Sequence, residues 1–425
     1  MVSRWVVGDR YDLRIPADPA SLHAAGAKFL TEAFRASGVL RDGVAVAGVT
    51  DFAEVDGGST GRKAVLAVEY DTAAPTPHTD LFVKFSRDFD DPIRDSAKTQ
   101  LEPEVRFGAL SRTPGFPIAV PTVLFGDYQR ASGSGILITE RIRFGTNGIE
   151  PQYHKCLDYE MPEPLAHYRA LLAALGRLAG THRSGRLPAE DFPPDVQATV
   201  GERTQTSLAE LERRVDQLAD FVATNPGLLP AAARSPEFLA QLRHDVPRVA
   251  LHEDAIAGRL ADDADYVALC HWNANTDNAW FWRDADGVLG CGLMDWGCVG
   301  QMNAGMAIWG ALSGAETYLW ERHLDELLHL FITEVRRHGG PELDIARLRR
   351  HTLLYAAAMG VAWLLDVPAL IRKRFDIAPS SRTDPRIRND ESVRAPLQML
   401  ANLLTVWERY RVGDLLDAAL AEEVA

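Results

Sequence analysis

The stretches HWNANTDN (271–278) and GCGLMDWG (290–297) decide how the rest of the chain reads. The second is an apolar strand that ends on a carboxylate, Asp295, so the acid points out of the strand's end and not into its own sheet. The first is a turn-rich run ending on Asn278, followed at once by the apolar-aromatic AWFW. Asn278 lies seventeen positions before Asp295, a separation that a hairpin would close. A carboxylate and an amide oxygen so placed form a hard-oxygen pair suited to Mg²⁺.

Upstream of this island the pattern is mostly strand. Residues 22–40 read as a helix stopped by Gly38, and 44–55, 63–70 (KAVLAVEY) and 81–85 (LFVKF) alternate like an antiparallel sheet. The turn 56–61 (DGGSTG) joins the first two. A helix over 101–110 (LEPEVRFGAL) and strands over 119–128 and 135–140 (GILITE) complete a β-rich N-terminal region. From about Phe144 the period becomes helical: 165–183, 207–222, and 236–251 with Ser235 as its N-cap. Helices at 321–337, 348–365 and 395–410 follow the island, and the basic stretch 371–389 reads as a loop. Strands first and helices second predict an α+β fold of two lobes, 1–141 and 142–425.

The bulk numbers agree with a globular protein. The chain has 425 residues, 46% hydrophobic and 24% charged, too long for one ordinary core. A net charge of −14 weighs against nucleic acid as a partner, because phosphate backbones are held by clustered Lys and Arg. The opening MVSRWVVGDRYDLRIP lacks the unbroken apolar segment of a secretory signal, and no apolar run reaches the length of a membrane span; a cytoplasmic protein is expected. Cys156, Cys270, Cys291 and Cys298 have no CxxC spacing and read as reduced core thiols.

With these residues in place, the chain resembles the aminoglycoside phosphotransferase and choline kinase superfamily, and within it the ecdysteroid-kinase-like branch, over roughly residues 22 to 365. In that superfamily a His-Gly-Asp-x-x-x-x-Asn loop precedes a strand ending in Asp-Phe or Asp-Trp. The resemblance implies a protein-kinase-like fold, ATP and Mg²⁺ as cofactors, and a small-molecule acceptor. It makes Asn278 and Asp295 the metal ligands and His271 the loop histidine, holding the loop to the backbone near Asp295. Lys84 in LFVKF is similar to the strand lysine that contacts nucleotide phosphates. Glu104 resembles the helix glutamate that pairs with it, with Glu102 as competitor and Phe107 as the aromatic that follows. Gly58, Ser59 and Thr60 fall in the phosphate-covering turn, and Ile138–Ile142, with Glu140 and Ile142, resemble the hinge.

One departure governs the functional reading. The superfamily's catalytic aspartate belongs two positions after His271, and this chain has Asn273 there. An amide cannot accept a proton from a hydroxyl as a carboxylate does. Three explanations follow: a nucleotide-binding pseudokinase; an acceptor already nucleophilic at neutral pH, a carboxylate or phosphate in place of a hydroxyl; or Asp277 supplying the missing carboxylate through a shifted loop. A kinase-shaped scaffold that has lost ATP binding is the alternative from another class. The glycine before the missing aspartate is also replaced, by Trp272, which adds bulk on the acceptor side. The other aromatics, Trp280, Phe281, Trp282 and Trp296, read first as core around the hairpin.

Overall fold

The computed structural model describes residues 4–58, 60–188, 190, 192–193, 204–377 and 379–424. The chain divides into two compact units. The first comprises residues up to Ile149 together with Leu187–Asp191 and Gly292–Val299; the second comprises Glu150–Arg186, Phe192–Cys291 and Gly300 onward. The fold is α+β, with an antiparallel sheet in the N-terminal part and mainly helices after it.

The first unit is built on five antiparallel strands in the order β3 (Val46–Val55), β4 (Arg62–Tyr70), β5 (Asp80–Phe85), β7 (Ser134–Glu140) and β6 (Val123–Gln129). Strand alternation decides what each face carries. On β5, Leu81, Val83 and Phe85 are buried beneath the helix Pro19–Ala36, packed with its Phe29, Leu30 and Phe34. Lys84 therefore faces the other way. On that face the helix Leu101–Leu110 sets Leu101 and Val105 against Tyr128 and Leu137. Gly126 allows the close approach: a Cβ there would stand 3.0 Å from Leu137.

A hairpin that the sequence reading did not foresee, β1 (Trp5–Val7) and β2 (Arg14–Pro16), precedes the sheet. Its connecting turn is anchored by Asp127, fully buried, whose carboxylate accepts the N–H groups of Arg10 at 3.0 Å and Tyr11 at 3.1 Å. The strand expected from 119 begins at Val123. Ala119 instead makes an isolated bridge to Gly292.

In the second unit the helices Pro164–Arg183 and Leu324–Arg337 pack at close range. Gly176 and Gly180 make this possible, since a Cβ at either would fall within 2.7 Å of a backbone carbonyl of Phe331 or Val335. The helix Ile345–Trp363 packs on Ala304–Leu312 and on Glu391–Tyr410. Two small pairings interrupt the helices: β8 (Val267–His271) with β11 (Val299–Asn303), and β9 (Ala279–Arg283) with β10 (Leu289–Leu293). The basic stretch expected as loop is partly helical, because Val367, Pro368 and Ile371 bury one side of a helix Val367–Arg374 that continues through Ile371. A short helix, Pro385–Arg388, follows. The helix expected at 321–337 breaks at His323, whose φ of −125° is not helical. Ala304–Leu312 escaped the period test because all nine of its residues are buried and it has no polar face. Among the described residues no single helix is long and apolar enough to cross a membrane.

Candidate functional site

The first unit holds an ion triad. Lys84 extends from β5 toward the helix Leu101–Leu110, where Glu104 is 93% buried, and its Nζ donates to both Glu104 oxygens at 2.8 and 3.0 Å. The same ammonium reaches Oδ1 of Asp295 at 2.7 Å. Glu102, the other carboxylate of the first turn, turns instead to Arg106 and Arg130. Burial by itself would lower the Lys84 ammonium, but Asp295 and Glu104 outweigh it and hold the group above its ordinary value. Burial, reinforced by Asp295 and opposed by Lys84, raises the carboxyl of Glu104.

Asp295 sits in the left-handed region, at φ 63° and ψ 62°. A non-glycine residue there costs about 1 kcal/mol, and such strain concentrates where a side chain must be aimed. Its successor fixes the turn: Trp296 donates its backbone N–H to Glu104 at 3.2 Å and its indole N–H to the Leu293 carbonyl at 3.1 Å. The Trp296 ring stacks on Phe107, centroids 3.7 Å apart and planes 16° from parallel. Trp296 is thus core, and it ties Asp295 to the helix that carries Glu104.

Two further cations, neither foreseen from the sequence, belong to this cluster. Lys63 on β4 is directly opposite Lys84 in the ladder, so the two lysines share a face. Like charges opposed in this way destabilise a sheet unless anions offset them. Burial, and then the neighbouring Lys84, depress the Lys63 ammonium. Lys63 Nζ donates to the Gly57 carbonyl at 3.1 Å, and Arg94 donates to the carbonyls of Gly61 at 2.6 Å and Gly57 at 3.3 Å. The glycine turn is therefore pinned by two cations. Gly58 sits at φ +77°, a conformation that strains other residues, and a Cβ there would displace the Lys63 ammonium, whose Nζ would stand 1.8 Å away. Thr60, Lys63, Lys84, Glu104 and Asp295 line one cavity of about 20 Å³, room for roughly one water. Ser59 lies outside the described residues. Phosphates would need the pinned turn to lift. The donor set fits them in kind: lysine ammonium groups for phosphate oxygens and an aspartate oxygen for Mg²⁺.

Glu140 and Ile142 are not brought to this cavity. They line a separate, open concavity of about 930 Å³ with Val39, Leu40 and His78. There Glu140 accepts from the Thr122 N–H at 2.8 Å and pairs with His78 at 3.1 Å.

The second unit carries the loop after β8. His271 is fully buried, and its Nδ1 accepts the Asn273 N–H at 3.3 Å. Asn278 donates its amide to the Asn273 carbonyl at 2.8 Å, which leaves its Oδ1 as the ligand-type atom. Asn273 Oδ1 accepts from the Asn275 amide and from Lys155 Nζ, the latter at 3.4 Å. Trp272 is half-buried; its indole donates to the Tyr355 hydroxyl at 2.7 Å. The backbone of the loop rests on Gly310, where a Cβ would stand 1.7 Å from the Trp272 carbonyl. Asp277 is half-buried on the turn Thr276–Asn278. Beneath it, the fully buried Asp158 accepts from the Tyr168 hydroxyl at 2.6 Å and from Thr276 at 3.5 Å; burial pushes its carboxyl up to about 7. Lys155 and Asp158 gave no sequence signal, since HKCLD matches no motif. Lys63, at the start of an apolar strand, was visible as a charged residue in the sequence, but the register that sets it opposite Lys84 was not.

Three of the cysteines are buried and Cys298 is half-buried; among the described residues no group of three or more His, Cys, Asp or Glu could hold a metal ion.

No family model matches the chain, and no curated protein matches it. Its fold is similar to solved small-molecule phosphotransferases. A microcompartment-associated aminopropanol kinase is 15% identical, with 91% of this chain and 99% of that one covered and a TM-score of 0.43. A choline kinase from Cryptosporidium parvum is 12% identical, covering 87% and 90%, with a TM-score of 0.43. An aminoglycoside phosphotransferase from Streptomyces rimosus, solved with ADP and streptomycin, is 18% identical over 71% and 90%, with a TM-score of 0.35. Aminoglycoside phosphotransferases and choline and aminopropanol kinases are thus the structural neighbours; the ecdysteroid-kinase-like branch rests on the sequence likeness alone.

Proposed function

We propose that the protein is a Mg²⁺- and ATP-dependent phosphotransferase of small molecules. Lys84 would contact the nucleotide phosphates, Glu104 would position Lys84, and Asp295 and Asn278 would be the magnesium ligands. Thr60 and the glycine turn would close over the phosphates. The observation that carries this reading is the triad itself, a lysine held between a buried glutamate and an aspartate whose backbone is strained into the left-handed region. As it stands the triad has one positive and two negative charges. With nucleotide bound, Asp295 would hold a magnesium ion and Lys84 the phosphate oxygens, and the ion would supply charge that offsets the phosphates. A purely structural salt bridge would not need the strained residue.

Asn273 favours a second reading, a nucleotide-binding protein that does not transfer phosphate. The two separate cleanly. Thermal stabilisation by ATP with Mg²⁺ tests both, and its absence at saturating nucleotide would remove both. Acceptor-dependent release of ADP then distinguishes enzyme from pseudokinase.

A further inference from the structure

Where the resemblance places a carboxylate, the loop presents an amide with an ammonium group beside it. Lys155 is half-buried, and the hydrogen bond its ammonium makes is to Asn273 Oδ1, at 3.4 Å. With that oxygen also accepting from Asn275, the amide orientation of Asn273 is set, and its Nδ2 is left as a donor with no hydrogen bond among the described residues. The exposed chemistry at this point is therefore two donors and a positive charge.

Lys155 is held there by its surroundings. Arg394, 95% buried in the helix Glu391–Tyr410, donates to the Lys155 carbonyl at 2.8 Å, and the next residue, Cys156, has a positive φ of 58°. Two further arginines take up carboxylates nearby: Arg388, in the helix Pro385–Arg388, pairs with Glu160 at 2.6 Å, and Arg382, in the turn before that helix, pairs with Glu316 at 2.7 Å. Glu160 and Glu316 are thus committed to these arginines. Asp158 is bound to Tyr168 and Thr276, while the charge of Asp277 is felt at Cys156 and Asp158. A cationic acceptor such as a protonated amine would meet Lys155 at like charge, whereas an oxyanion would gain a charge-assisted hydrogen bond.

Resting on the phosphotransferase reading above, we infer that the acceptor is an oxyanion, a small carboxylate or phosphate monoester, bound by Lys155 Nζ and Asn273 Nδ2. Such an acceptor also removes the need for a base. One of its oxygens attacks the γ-phosphorus and forms a new O–P bond; the P–O bond to the β-phosphate breaks, and its electron pair leaves on ADP. No proton has to be taken, so an amide suffices at position 273.

The test follows the side-chain amide of Asn273 by ¹⁵N NMR in the full chain with Mg²⁺ and ADP, adding benzoate, glycerol 3-phosphate, ethanolamine or glycerol. We expect saturable shifts with benzoate or glycerol 3-phosphate, and the stronger of the two identifies the acceptor's oxyanion. In Lys155→Glu their apparent affinity should fall at least about tenfold, the scale of one charge-assisted hydrogen bond. Shifts from ethanolamine or glycerol alone, no shift from any probe, or equal oxyanion affinity in Lys155→Glu would each overturn the inference. Thermal stabilisation of the wild type by Mg²⁺ and ADP is read in parallel. If it is present while the oxyanions fail, only this inference falls; if it is absent, the phosphotransferase reading falls first.

Discussion

The triad on the first unit and the loop on the second are built from opposite materials. Lys84, Glu104 and Asp295 form a cluster of full charges, one of them strained in its backbone. The 271–278 loop is a network of neutral amides, Asn273, Asn275 and Asn278, closed on one another and on backbone carbonyls. Charges held in reserve suit a partner that is itself charged, such as a magnesium-bound phosphate. Amides hold geometry without moving protons. On the proposed function, the contrast would place nucleotide binding on the charged cluster and leave the loop with positioning alone.

The largest expected effect breaks the charged side. Asp295→Ala should abolish the stabilisation by Mg²⁺ and ATP seen in a thermal shift assay, and an unchanged shift would contradict the metal assignment. Asp295→Gly should lose the same response yet be about 1 kcal/mol more stable than Asp295→Ala, because glycine relieves the left-handed strain. Next, Asn273→Asp converts the amide side toward the charged kind. Transfer to hydroxyl acceptors should rise at least about tenfold, as expected of a newly supplied base, while the carboxylate probe should bind more weakly. Coupled ADP release measures the first and NMR the second.

Glu104→Gln tests compensation within the triad. It weakens a buried pair but leaves Asp295 on Lys84, so a loss of about 2 kcal/mol in urea unfolding is expected. Gly310→Ala should cost about 1–3 kcal/mol by pressing on the Trp272 carbonyl, with the loop amides shifted in NMR spectra and the triad residues unmoved. The last effect is confined to acid. His182 is held neutral, its Nδ1 accepting the Leu269 N–H at 3.1 Å, and burial with Arg183 lowers it from 6.5 to about 4. Below pH 6.5 the unfolded chain takes up this proton and the folded one does not, so stability falls as pH drops toward 4. His182→Gln should flatten that part of the profile and leave pH 8 unchanged.

How far the sequence carried depended on whether a signal was local. Alternation in LFVKF was enough to put Lys84 on the face opposite Leu81 and Val83, and the Ser235 cap was readable from one residue and the apolar period after it. The choice between Glu102 and Glu104 was not, since both lie in the first turn of one helix and only its rotation on the sheet turns Glu104 toward Lys84. Lys155 reaches Asn273 across 118 positions, and no spacing in a single sequence records such a meeting.

By itself, then, the sequence determined the antiparallel sheet, the order of lysine strand, glutamate helix, loop and aspartate strand, and the substitution at Asn273. These are periodicities of two and 3.6 residues and the identity of side chains, which the chain states directly. Only the tertiary structure decided that Asp295 is strained and tied through Trp296 to the glutamate helix, that Lys63 and Arg94 pin the glycine turn, and that Lys155 stands beside the amide. Each of those depends on charges brought within about 3 Å by packing of elements distant in sequence, where burial sets how strongly they act.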